Sequence, residues 1–362
     1  MKPNFQPTNP SQTCSVSNGS GTVNGAPVSD VVVSCVTGPT SVTVDPFGKY
    51  VYAANTDGTI SAYNIDSSSG ALNPICGGST GIICPSAGTY PTSITVDPSG
   101  LFAYVVDTVG GNILAYTITD GELSPLQTVA AGNYPTSVTV DQSGHVYVAN
   151  MGDNTISAYT IDPTYGTLTE LVNSPFPAGT SPASIITVKL SVGEFAYVTN
   201  MSESTIRFYF ISSNGDLAPL GELPTGTYPT SVTVDQSGQF VYVANETSNT
   251  ISAYTIQSDG TLVAGTTVAT GTSPTSIVTV KLPVGEFAYV TNSEDGTIWA
   301  YTINQTTGAL GTGTAVATGL TFPSSITVDP LGRFAYVGNM GGGSIWAYKI
   351  NSDGTLTLLT TP

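Results

Sequence analysis

The chain of 362 residues carries a single histidine, His145, so any chemistry that needs a neutral nitrogen base falls on it. A Ser-His-Asp relay would require that ring buried beside a serine. A histidine-based zinc site would require more ligands than one imidazole and cysteines that are expected to be paired. His145 stands in a turn, and reading the repeats against one another sets it opposite Gln239 and Lys49. Residues so different at one place are expected of a solvated surface, not of a catalytic centre, and no catalytic residue is assigned.

Carboxylates recur. Asp45, Asp97, Asp141, Asp235 and Asp329 each close a short apolar run, while Lys189 and Lys281 take that place in two further copies. Asp followed by Pro-x-Gly or Gln-Ser-Gly is the chemistry of a side-chain-capped β-turn. The alternative is a shallow acidic ring for a cation such as Ca²⁺, but no DxDxDG-type loop is present and no metal site is assigned. Tyr90, Tyr134, Tyr228 and Phe322 each stand directly before a proline, and Asn150 and Asn245 end neighbouring runs, as do Asn55, Asn200, Asn292, Asn339 and Asp107. Together these aromatics and amides are candidates for stacking and holding a sugar. The structural alternative is that Asn tolerates left-handed turns and the rings pack between elements.

The elements that must position these residues are short strands. Residues 228–262 read YPTSVTVDQSGQFVYVANETSNTISAYTIQSDGTL, three alternating β-branched and aromatic runs separated by Asp, Asn, Ser and Gly. A fourth strand is expected after Asp259-Gly260. Alternation bounded by such residues predicts an antiparallel meander. The opening Pro-x-Ser recurs at Pro39, Pro91, Pro135, Pro182, Pro229, Pro274 and Pro323, in steps of 52, 44, 47, 47, 45 and 49 residues. That spacing matches one propeller blade of about 40–50 residues. One meander cannot bury both its faces, so seven must stack around an axis. The predicted fold is all-β: a seven-bladed β-propeller of four-stranded antiparallel blades over 38–362, preceded by a short β-segment at 1–37. Copies three and four duplicate five and six: ITVKLSVGEFAYVTN at 186–200 is matched by VTVKLPVGEFAYVTN at 278–292. Whether Val31–Ser34 serves as the outer strand of the seventh blade or stands surplus is left open.

Composition narrows the partners. Seven Lys plus Arg against 24 Asp plus Glu give a formal net charge of −17, so no basic footprint for nucleic acid or an anionic membrane exists. No run approaches a membrane span of about 20 apolar residues. Cys14, Cys35, Cys76 and Cys84 form an even, sparse set that suggests two disulfides and an oxidising compartment. Proximity favours Cys14–Cys35 and Cys76–Cys84 among three connectivities.

Copies such as FAYVTN, flanked by PTSVTVD and NTISAYTI, resemble YVTN-type β-propeller repeats of bacterial and archaeal surface-layer proteins, within the broader seven-bladed lactonase-like superfamily. The resemblance covers 38–362. It implies hydrolysis of a sugar lactone, which needs a polarising cation or a general base in a central pocket. The stretch TCSVSNGSGTVNGAPVSDVVVSC resembles the last hairpin of small β-modules in long bacterial surface proteins. With one turn histidine and no Glu/His/Arg cluster, the expectation is a non-catalytic extracellular or cell-surface module. It would act by self-assembly into a layer or filament, or by contact with other surface proteins, without cofactors. A carbohydrate-binding propeller, with a glycan as partner, and a lactonase-like hydrolase are the alternatives.

Overall fold

The computed structural model describes residues 13–17, 32–36, 38–76 and 82–360, the first two stretches as backbone. From Pro39 onward the chain forms seven antiparallel sheets, each from consecutive segments. Blade five is representative: Pro229–Val234 innermost, then Phe240–Asn245, Thr250–Ile256 and Leu262–Ala269. All six residues of its second strand are buried, because a blade buried on both faces has no solvent side. In blade three the outer strand is interrupted, and Leu168–Glu170 and Phe176–Pro177 pair in turn with Thr155–Ile161.

The Pro-Thr-Ser signature is the wiring of the hub. In every blade the serine hydroxyl accepts a backbone N–H from the next blade: Ser41 from Ile94, Ser93 from Val138, Ser137 from Ile185, and so on to Ser325, which receives Val42. The preceding hydroxyl donates to the next blade's proline carbonyl, as Thr40 does to Pro91 and Ser324 to Pro39. Ala183 stands in this place in blade four, so Pro229 lacks its donor. These hydroxyls are thus spent on holding blades together.

Further out, second-strand tyrosines lock six of the seven seams. Tyr104, Tyr147, Tyr197, Tyr242, Tyr289 and Tyr336 donate to the carbonyls of Gly166, Gly215, Gly260, Gly308, Gly354 and Gly70 in the following blade, at 2.8–3.1 Å. Tyr52 of blade one is the exception, its buried hydroxyl having no partner. The hairpin it faces in blade two turns on two residues, Asp120 (φ 50°) and Gly121 (φ 84°), both left-handed. A turn that tight does not present its glycine carbonyl as the longer turns do.

Blade seven supplies all four of its strands, Pro323–Val328, Phe334–Asn339, Ser344–Ile350 and Leu356–Thr360. The ring closes without an N-terminal strand, so the latch alternative is not realised. Thr13–Ser17 and Val32–Val36 pair with each other, with Cys14 and Cys35 in register. A bridge between those two cysteines lies outside the described residues. Cys76 and Cys84 form the expected disulfide, at the outer edge of blade one.

Candidate active site

The turns joining first to second strands gather on one end of the disc. There the repeated aspartates are buried and saturated by their own turns. Asp45 receives the amides of Phe47, Lys49 and Tyr50, and Asp235 those of Ser237, Gln239 and Phe240. The cation-ring alternative therefore loses its ligands, since these carboxylates already serve as turn caps. Among the described residues no three His, Cys, Asp or Glu side chains form a group that could hold a metal ion.

His145 is not the solvated turn residue that the repeat comparison suggests. It opens the second strand, His145–Asn150, and is buried. Pairing of Asn150 with Thr155 and of Asn245 with Thr250 shows that His145 occupies the place of Phe240. The mismatch arises because the turn of blade three is one residue shorter: Asp141 N donates to His145 O, whereas Asp235 N donates to Phe240 O. The same slot holds Tyr50, Phe102, Phe195, Phe287 and Phe334 elsewhere, each ring lying against a turn glycine of the next blade. A Cβ on that glycine, Gly215 here, would meet His145 Cδ2 at 2.6 Å, so close approach requires glycine. The imidazole Nδ1 lies 2.8 Å from Asp141 Oδ2. That hydrogen bond is the largest influence holding its pKa above the usual value; burial opposes it, and the charges of Asp141 and Glu194 assist.

Blades four and six break the aspartate series. Lys189 and Lys281 stand next to last in longer first strands, Pro182–Leu190 and Pro274–Leu282, and Glu194 and Glu286 follow across the turn, each paired in register with its lysine. Both glutamates are buried. Glu194 Oε2 accepts the hydroxyl of Ser143 from blade three at 2.5 Å. Its Oε1 is buried without a hydrogen bond, 3.5 Å from the half-exposed ammonium of Lys189. Glu286 Oε1 instead receives the amide of Gln236 at 3.0 Å, and burial pushes its carboxyl above the ordinary range. A cavity of about 400 Å³ opens over Glu194, lined also by Val140, Gln142, Lys189, Asp235 and Gln236. That volume suits a monosaccharide-sized ligand. Sequence reading missed this group. Its one signal in the sequence is the replacement of aspartate by lysine at 189 and 281.

On the opposite end, the residue before the repeat proline is left-handed in five blades: Tyr134, Ser181, Tyr228, Ser273 and Phe322, with φ from 49° to 61°. Tyr134, Tyr228 and Phe322 are about half exposed rather than packed between blades, and Tyr90 is less so. Asn150 and Asn245 are fully buried. Asn150 accepts from Gly132 N and donates to Ser157, and Asn245 donates to Ser252. These amides brace their own loops and are not brought to the aromatic surface.

Against known proteins, the model of the lactonase family with a seven-bladed β-propeller matches residues 79–186, 176–282 and 270–362. The chain belongs to this family. Solved structures agree in fold. A protein from Lactobacillus plantarum is 22% identical, with a TM-score of 0.71 over 84% of this chain and 92% of its own. A candidate 6-phosphogluconolactonase from Bacteroides uniformis is 21% identical, with a TM-score of 0.70 over 83% and 90%. A periplasmic gluconolactonase from Pseudomonas aeruginosa is 17% identical, with a TM-score of 0.69 over 90% and 96%. At these identities the likeness is one of fold. No curated protein matches the chain. Membership of the lactonase family overturns the expectation of a non-catalytic, self-assembling surface module: the alternative of a lactonase-like hydrolase is the better supported.

Proposed function

We propose that the chain hydrolyses a sugar lactone at the cavity over Glu194. The observation that carries this reading is a buried carboxylate oxygen, Glu194 Oε1, free of hydrogen bonds and capped only by the ammonium of Lys189. Buried polar atoms are almost always satisfied, and an unsatisfied buried carboxylate oxygen calls for an explanation, of which a catalytic role is one. Family membership and the lactonase descriptions of two structural neighbours support the same choice.

In this reading Lys189 turns to the lactone carbonyl oxygen and uncovers Oε1, which takes a proton from an attacking water. The tetrahedral oxyanion forms beside the ammonium. Its collapse breaks the ring C–O bond, and the leaving ring oxygen recovers the proton from Glu194 as a hydroxyl. The product is the open hydroxy acid. A single flexible cation in a site bordered by Asp235 and Glu194, on a chain of net charge −17, favours a neutral aldonolactone over a phosphorylated one. The finer assignment of the repeats as YVTN-type belongs to this proposal and is supported by FAYVTN at 195–200 and 287–292.

The test is hydrolysis of D-glucono-1,5-lactone above the uncatalysed rate, compared with its 6-phosphate. Turnover that Glu194→Gln abolishes supports the reading. Turnover unaffected by that change, or absent from the native chain, overturns it.

A further inference from the structure

Three turns of near-identical sequence handle their serine hydroxyls differently. In blade two Ser99 Oγ returns to Asp97 Oδ2 at 2.5 Å, and in blade five Ser237 Oγ returns to Asp235 Oδ2. In blade three the turn is a residue shorter, and the imidazole of His145 occupies the corresponding acceptor, Asp141 Oδ2, at 2.8 Å. Ser143 Oγ is then directed to Glu194 Oε2 in the next blade, at 2.5 Å. Blades five and six are an internal control. They keep the Gln-Ser-Gly tripeptide and the same lysine–glutamate pair, but have one more turn residue, Gln239, and Phe240 where blade three has His145. There the glutamate receives no serine hydroxyl, only the Gln236 amide.

We infer that His145 is a positioning residue for the lactonase site. By holding Asp141 Oδ2 it diverts the Ser143 hydroxyl onto Glu194, which fixes that carboxylate and leaves Oε1 as the one oxygen available to accept a proton. The inference rests on the reading of Glu194 as the base. His145 itself touches no substrate. The charged groups facing its ring are Asp141 on its own turn and Glu194 from blade four, with Asp216 beside the Gly215 against which the ring packs. An imidazole protonated at Nδ1 donates to Asp141 whether neutral or cationic, so this hydrogen bond survives titration of the ring.

Phenylalanine fills this slot in five other blades, so His145→Phe is expected to keep the seam packed. The full chain is compared with Ser143→Ala, His145→Phe, the double variant and Glu194→Gln in D-glucono-1,5-lactone hydrolysis, and the crystal structure of His145→Phe is determined. Loss of a hydrogen bond to a charged group predicts about a tenfold fall in kcat for each single variant, with KM little changed. The double variant is expected to be no slower than Ser143→Ala, because both changes remove one interaction. In the crystal, Ser143 Oγ is expected on Asp141. Native kcat in Ser143→Ala or His145→Phe, additive losses in the double variant, or a hydroxyl still on Glu194 in the crystal each overturn the inference. Full activity in Glu194→Gln would instead remove the base, and the crystal would still decide where the hydroxyl goes.

Discussion

Lys189 Nζ stands 3.5 Å from Glu194 Oε1, yet the lysine side chain is 52% exposed and the glutamate 8%. The pair is asymmetric: one partner is fixed by burial and by Ser143, and the other is free to leave. Glu194→Gln is therefore expected to lower lactone turnover by about 10²–10⁴, the usual contribution of a positioned general base. Lys189→Met should lose less, about tenfold to a hundredfold, because water can replace part of its stabilisation of the oxyanion. Steady-state kinetics on D-glucono-1,5-lactone check both, and equal losses would contradict the assigned roles.

Stability should carry the mark of His145. Its pKa is raised in the folded chain, chiefly by the hydrogen bond to Asp141. The sign follows from linkage: the stabilisation is complete below the unfolded pKa of about 6.5 and fades as pH rises through the folded value. The Tm advantage of the native chain over His145→Phe is expected to shrink between pH 6 and pH 9 in calorimetry. A constant difference would mean that Asp141 and Glu194 do not hold the proton on the ring.

The seam tyrosines offer a paired experiment. Tyr242 donates to Gly308 O at 2.9 Å in a buried seam, so Tyr242→Phe leaves a carbonyl unsatisfied and should cost about 1–3 kcal/mol in urea unfolding. Tyr52 has the same position but no acceptor. Tyr52→Phe removes an orphaned hydroxyl and is expected to be neutral, or stabilising by about 1 kcal/mol. Equal costs at the two sites would show that the hydroxyl of Tyr52 has a partner in solution.

The hub hydroxyl missing at Ala183 can be supplied. Thr fits the equivalent place in blades one, two, three, five and six. Ala183→Thr should donate to Pro229 O and add about 0.5–1.5 kcal/mol. A destabilised variant by denaturant titration would indicate that blade four has closed over the space.

How much of this was legible beforehand follows from what each residue does. Pro-Thr-Ser and the strand tyrosines act identically in blade after blade, so periodicity alone displayed the fold and the blade number. The site depends on departures from that periodicity. A one-residue shortening between Asp141 and His145 moved the histidine out of alignment with Phe240, and counting from the aspartate placed it one position away, in the turn. Glu194 and Ser143 lie 51 residues apart and meet only because adjacent blades do. In the sequence Asn150 and Asn245 are candidate ligands because asparagine offers the same groups to a sugar as to its own loop, and only burial separates the two uses.

The seam between blades seven and one differs from the others in one respect. Among the described residues no backbone connection crosses it, and it is joined through contacts such as Val42 to Ser325, Ser324 to Pro39 and Tyr336 to Gly70. Pulling residues 38 and 360 apart would therefore load these side-chain contacts before any strand is sheared. The disc would open like a split washer, blades intact, before the sheets unravelled.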